Sequence, residues 1–222
     1  MTLARKLAAE CLGTAGLLAV VVGSGIMGEN LANGNAAIAL LANSIATGAG
    51  LVFLIYGLAD ISGAHFNPVV TLVEMLRGNL VWREGGFYVL AQIAGAFGGV
   101  ALANSMFNLP LFFASTKIRA GSSQFLSEFI ATFGLIAVIS AGIKFRPALV
   151  PVLVACYIMA AYWFTSSTSF ANPAVTLARS ASNTFAGISL SNVPLFIIAQ
   201  TLGALAAMLV FGWLLKKDKE NV

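Results

Sequence analysis

Ser62-Gly-Ala-His-Phe-Asn67-Pro-Val-Val-Thr-Leu72 and Phe170-Ala-Asn172-Pro-Ala-Val-Thr-Leu177 are the two stretches on which the fold turns. In each, a proline follows an asparagine at the head of an apolar run, and Asn as cap with Pro at the first helical position is a helix start. The runs Phe66 to Leu76 and Ala171 to Ser180 are apolar, yet each is only half of the roughly 20 residues that a helix needs to cross the hydrocarbon of a bilayer. They are expected to be half-helices. The chain around them is lipid-soluble in composition. Of its 222 residues only 9% are Asp, Glu, Lys or Arg and 59% are hydrophobic, with a mean hydropathy of +0.92, where soluble chains carry roughly 25% charge. One compact core could not hide so much apolar surface, so the protein is expected to be polytopic in the membrane.

The charges nearly fix the map of spans. Uncharged runs, trimmed at turn signals, give six spans: about Leu7 to Met27, Ala36 to Leu58, Gly86 to Ser105, Phe125 to Ile143, Leu149 to Thr165 and Val193 to Leu215. The first follows a charged start, Met1 to Glu10, and reads as a retained span and not as a removed signal peptide. With the amino terminus in the cytoplasm, Arg5, Lys6, Arg77, Arg83, Lys144, Arg146, Lys216, Lys217 and Lys219 fall inside and Lys117, Arg119 and Arg179 outside. The basic excess of cytoplasmic loops thus places both termini inside. The tail from Lys216 to Val222 is then a short cytoplasmic end.

The chain repeats itself. The Asn-Pro elements recur at an offset of 105 residues (67 to 172), Glu10-Cys-Leu-Gly-Thr14 resembles Glu128-Phe-Ile-Ala-Thr132 at 118, and Ala91-Gln-Ile-Ala-Gly-Ala96 resembles Ala199-Gln-Thr-Leu-Gly-Ala204 at 108. A single domain, 1–222, therefore divides into repeat one, about 1–116, and repeat two, about 117–222, each with three spans and one half-helix. Three is odd, so the second copy sits upside down. The half-helices enter from opposite sides and should meet, N-terminus to N-terminus, near the bilayer midplane.

Non-helical backbone at membrane depth survives only inside protein or beside a watery cavity, so two symmetric re-entrant segments argue for a pathway. Facing helix dipoles repel cations, including a proton on a water chain. Asn67 and Asn172 can offer amide hydrogens to a passing oxygen while capping their helices. Other classes fall away. A net charge of +4 is too thinly spread for nucleic acid, and Cys11 and Cys156 lie in apolar runs that suit neither a disulfide nor a metal site. One His and two separated Cys supply no nucleophile with a base; neither an enzyme nor a cofactor or metal is implied. A secondary transporter with broken helices is the rival, opposed by the paired caps and the lack of a charged midplane pair beyond two glutamates.

The doubled motif, Ser62 to Thr71 with Asn172-Pro173-Ala174 in an inverted repeat, resembles the paired signature of the aquaporin or major intrinsic protein family. That resemblance covers nearly the whole chain. It implies an all-α membrane protein with six transmembrane helices and two re-entrant half-helices, assembled as a homotetramer in which each subunit conducts. Asn67, Pro68, Val69, Asn172, Pro173 and Ala174 would form the pore midplane, and Glu10 and Glu128 would brace the re-entrant loops; a proton relay is the alternative for these two glutamates. His65, on the cytoplasmic descent, would line the pore as a structural element, with a pH gate as its alternative.

The departures from the family pattern are informative. Val175 stands where the family usually has an arginine, and Arg179, one turn further, is expected to reach headgroups or a subunit contact. Spacing from the asparagines, as the family alignment implies, sets the selectivity filter at Thr47, Ala160, Ser169 and Val175, four small residues and hence a wide ring. Ser166, Ser167, Thr168 and Ser169 make the descending loop hydroxyl-rich, either as stepping stones for a polyhydroxylated solute or as ordinary loop polarity. Trp82, Trp163, Trp213 and the Leu109 to Phe113 stretch are expected at the lipid interface, and Gly48, Gly95 and Gly203 at close helix contacts. Thr47 with Val175 and the segment Tyr162 to Phe170 resemble bacterial aquaglyceroporins associated with arsenic-resistance operons. The expected solutes are accordingly water, glycerol, arsenite and methylated arsenicals. The short termini look prokaryotic, which makes the inner membrane the expected address.

Overall fold

The computed structural model describes residues 1–216; Lys217 and Lys219 of the basic count lie outside the described residues. The chain forms α1 (Leu3–Leu31), α2 (Ala36–Ser62), α3 (Pro68–Leu76), α4 (Trp82–Met106), α5 (Ser122–Phe145), α6 (Val150–Phe164), α7 (Pro173–Arg179) and α8 (Val193–Leu214), with no strand longer than an isolated Phe113–Ser182 bridge among the described residues. Six of the helices, α6 together with the 3-10 turn Pro147–Leu149 that leads into it, are long and apolar enough to cross a membrane. The short α3 and α7 are the two Asn-Pro half-helices.

The spans outrun their uncharged runs. α1 takes in Arg5 and Lys6 at one end and Glu29 at the other, because a helix keeps its internal hydrogen bonds past the hydrocarbon while long charged side chains reach water. Start and stop chemistry is local. The Asn35 side chain caps α2 by accepting from the Ala37 and Ile38 amides at 3.0 and 3.3 Å, and Gly63 ends α2 in the left-handed region at φ 89°.

α1 packs on α4 and α2, and α5 on α8 and α6, so each half is a three-helix unit, joined across the middle by α2 and α6. Small residues set the approach. A Cβ on Gly95 or Gly99 of α4 would strike the Cys11 or Ala15 carbonyl of α1, and one on Gly203 of α8 would strike the Phe129 carbonyl of α5. Gly48 instead meets the Met159 side chain, which can move. Polar groups are packed inside, with Glu10, Gln92, Glu128 and Gln200 wholly buried, while Phe53, Leu90, Leu209 and Trp213 face outward. The three tryptophans are exposed near helix ends, where interface anchors belong.

Gly203→Leu and Gly95→Leu should each cost about 1–3 kcal/mol by overpacking against fixed backbone. Thermal unfolding in detergent should show this as a lowered Tm, with Gly98→Leu, which has open space around it, left unchanged.

Candidate functional site

Each re-entrant loop folds around one buried carboxylate. Glu10 of α1 accepts from Ser62 Oγ at 2.6 Å, the His65 and Phe66 amides at 3.0 and 2.8 Å, and Gln92 Nε2 at 2.8 Å. Glu128 of α5 accepts from Ser167 Oγ at 2.5 Å, the Phe170 and Ala171 amides at 2.9 Å each, and Gln200 Nε2 at 2.6 Å. The partners correspond one to one at the repeat offsets. Both glutamines also donate to a half-helix threonine, Gln92 to Thr71 at 2.9 Å and Gln200 to Thr176 at 2.8 Å. A buried carboxylate must have its acceptors filled, and a buried loop must have its amides paired. Each satisfies the other here, and neither glutamate lines the cavity between the half-helices.

The loops are strained in register. Ala64 and Phe66 in one, and Ser169 and Ala171 in the other, hold φ between 49° and 50°, a region that costs non-glycine residues energy unless the surroundings over-determine it. That strain carries the chain to two crossed hydrogen bonds. Asn67 Nδ2 donates to the Ala171 carbonyl and Asn172 Nδ2 to the Phe66 carbonyl, both at 2.8 Å. Meanwhile Asn67 Oδ1 caps α3 by accepting from the Val69 amide at 3.1 Å, and Asn172 Oδ1 caps α7 by accepting from the Ala174 and Val175 amides at 3.0 and 3.2 Å. Each amide nitrogen keeps one hydrogen unspent.

Both asparagines line a cavity of about 490 Å³ that extends from Asp60, Glu74 and Pro147, at the end where α1 starts and α8 ends, past the half-helices to Thr47, Tyr162 and Arg179. From the half-helices Val70 and Val175 reach it, whereas Val69 and Ala174 are buried behind it. Pro68 and Pro173 open α3 and α7 as expected. Thr47, Ser169 and Val175 come together at the far end. Ala160 does not join them: it is exposed on the outer flank of α6, and Tyr162 stands in the cavity wall instead, its hydroxyl 3.2 Å from Thr47 Oγ1. The α6 stripe Val150, Val154, Ile158 and Tyr162 lines the cavity at a four-residue repeat, so the ring is not made of small residues alone. Arg179 departs from expectation too, being 2% exposed and part of the same wall.

The hydroxyl-rich loop divides its work. Ser166 is exposed and tied to Ser127 at 2.9 Å, Ser167 serves Glu128, and of the four hydroxyls only Ser169 lines the cavity. Arg119, from the loop before α5, clasps this segment through the Ser167 and Gly187 carbonyls at 3.1 and 2.9 Å. Burial lowers its guanidinium from the ordinary arginine range, against the opposing pull of Glu128. His65 lines the cavity with its ring fixed, Nδ1 lying 3.0 Å from Thr71 Oγ1 and the ring 5.4 Å from Tyr88. Gln92, Gln200, Ser62 and Ser167 had a signal in the sequence, since all four recur at the repeat offsets.

The Major intrinsic protein family pattern matches residues 1–166. The aquaglyceroporin AqpS of Rhizobium meliloti (strain 1021) is 56% identical over 214 residues, covering 96% of this chain and 91% of that protein. The aquaporin NIP1-1 of Arabidopsis thaliana is 29% identical over 233 residues, covering 97% of this chain and 75% of that protein. The X-ray structure of the aquaglyceroporin from Plasmodium falciparum superposes with a TM-score of 0.75 over 95% of this chain and 96% of that one, at 18% identity, a likeness of fold.

Glu128→Ala should strip the Phe170 and Ala171 amides of their acceptor at about 1–3 kcal/mol each, lowering Tm and solute flux together. A stable, assembled variant whose transport lost only a dependence on protons would speak instead for a relay.

Proposed function

This chain belongs to the major intrinsic protein family of membrane channels, and from that premise we propose that it is a passive aquaglyceroporin for small uncharged polar solutes: water, glycerol, and arsenite as the polyol-like As(OH)3. The observation that carries this reading is the cavity that passes both asparagines and ends at Thr47, Tyr162, Ser169 and Val175. Its wall is largely apolar, with few polar groups beside the asparagines, which suits a neutral solute that trades a few water hydrogen bonds for spare amide hydrogens. A relative 56% identical carries the name aquaglyceroporin, which supports the glycerol-sized class. Tyr162 narrows the ring, so methylated arsenicals are the upper size in this reading.

The transporter alternative needs an ionisable group free to take and release an ion near the middle of the bundle. Glu10 and Glu128 are instead fully committed to loop amides and hydroxyls. The cavity is lined by one chain, which favours separate conduction by each subunit of the homotetramer that the family resemblance implies. Arg5, Lys6, Arg83, Lys144 and Arg146 cluster at one end of the bundle, which favours an inner-membrane protein with both termini cytoplasmic.

The test is osmotic-shock light scattering on proteoliposomes with water, glycerol, arsenite and methylarsenate. Solute flux should exceed that of empty vesicles and rise in proportion to concentration; flux that saturates and follows an ion gradient would overturn the reading. Val175→Arg should cut glycerol and arsenite flux about tenfold, the effect of roughly 1.4 kcal/mol of added barrier, and reduce water far less. Thr47→Phe should act alike, and the pair need not add, because both fill one opening.

A further inference from the structure

Arg179 is a buried cation that none of the roles described so far employs. It closes α7 one turn beyond Val175, on the same helix face. Its guanidinium carbon stands 3.3 Å from the centre of the Phe170 ring. Nε donates to the Ala186 carbonyl, and no other hydrogen bond to the guanidinium is found among the described residues. Four N–H donors on its two terminal nitrogens are therefore unspent, in a residue that lines the cavity.

Arg119 supplies the contrast. It shares the same Phe170 ring, at 5.0 Å, but spends two donors on the Ser167 and Gly187 carbonyls and does not line the cavity. One arginine holds the loop; the other faces the lumen. Beside Arg179, Ser169 Oγ is buried in the same wall with no hydrogen-bond partner. Neither arginine has an ion pair among the described residues. The nearby carboxylate, Glu128, is already filled by loop amides, Ser167 and Gln200; burying a guanidinium with idle donors is costly, and water or solute in the lumen is what remains to satisfy it.

We propose that Arg179 is the charge-selecting residue of this channel, repelling cations at the far mouth while its terminal nitrogens, with Ser169 Oγ, bind an oxygen of an uncharged hydroxylated solute. The proposal rests on the channel reading above and names the specificity element within it. The charges that line the cavity are segregated, with Arg179 at one end and the acids, Asp60 and Glu74, at the opposite end. Beside Arg179, on the loop before α5, stand Arg119 and Lys117, the latter donating to the Phe185 carbonyl at 2.9 Å with Glu29 opposing it from the end of α1. Along the cavity itself, a cation coming from the far side meets Arg179 before either lining acid.

The test uses proteoliposomes of the full chain, with methylammonium as the cation and glycerol as the neutral probe. Arg179→Gln should raise the methylammonium-to-glycerol flux ratio about tenfold or more, the scale of one unit charge removed from a narrow aqueous mouth. Arg179→Lys should leave the ratio within about twofold of the natural protein, as a retained charge requires. An unchanged ratio in assembled Arg179→Gln protein would overturn the proposal. Should that variant not assemble, the natural protein still decides: its methylammonium flux should rise between about 0.01 and 1 M salt as the charge is screened, with glycerol unaffected, and a flat response would overturn the proposal. If the natural protein passes neither water nor glycerol, it is the channel reading that has failed.

Discussion

Two carboxylates buried beyond the reach of water hold this structure together. A loop that dips into the middle of a bilayer has amides that lipid cannot satisfy, and a carboxylate in the same place has acceptors that nothing apolar can fill. Glu10 and Glu128 match one problem to the other, each taking two loop amides, a loop hydroxyl and a glutamine. The left-handed residues of both loops persist because these contacts leave them no alternative. The crossed asparagine bonds, the direction of α3 and α7 and the course of the cavity all follow.

Much of this was legible because it is written twice. A lone Asn-Pro or a lone buried glutamate says little, but two at matching offsets in halves of three spans imply inversion, a meeting point and a shared role. The spans were legible for a cruder reason, since 9% charge leaves few places for a helix to end. Their true ends were not, because helices continue past the hydrocarbon edge.

Two features of the far end do not follow from the motif. Counting back from Asn172 across the end of α6 assumes a fixed loop length, and that count lands on Ala160, on the lipid-facing flank. Following the helical repeat from Val154 through Ile158 reaches Tyr162, the residue that lines the cavity. Arg179, by its position at the end of α7, suggests an outward reach to headgroups or a subunit contact. Yet residues four apart share a helix face, so an arginine one turn beyond Val175 faces the lumen with it. Both features turn on where a side chain points once its helix is fixed, which the doubling of the motif does not record.

In the proposed channel the α3 and α7 N-termini oppose each other across Asn67 and Asn172, and among the described residues Glu10 and Glu128 are committed to the loops; neutral solutes should therefore pass and protons should not. Proteoliposomes loaded with a pH-sensitive dye and exposed to a proton gradient test this most directly. Acidification should match that of empty vesicles in the same preparation that takes up glycerol rapidly. Acidification well above the empty vesicles would contradict the claim.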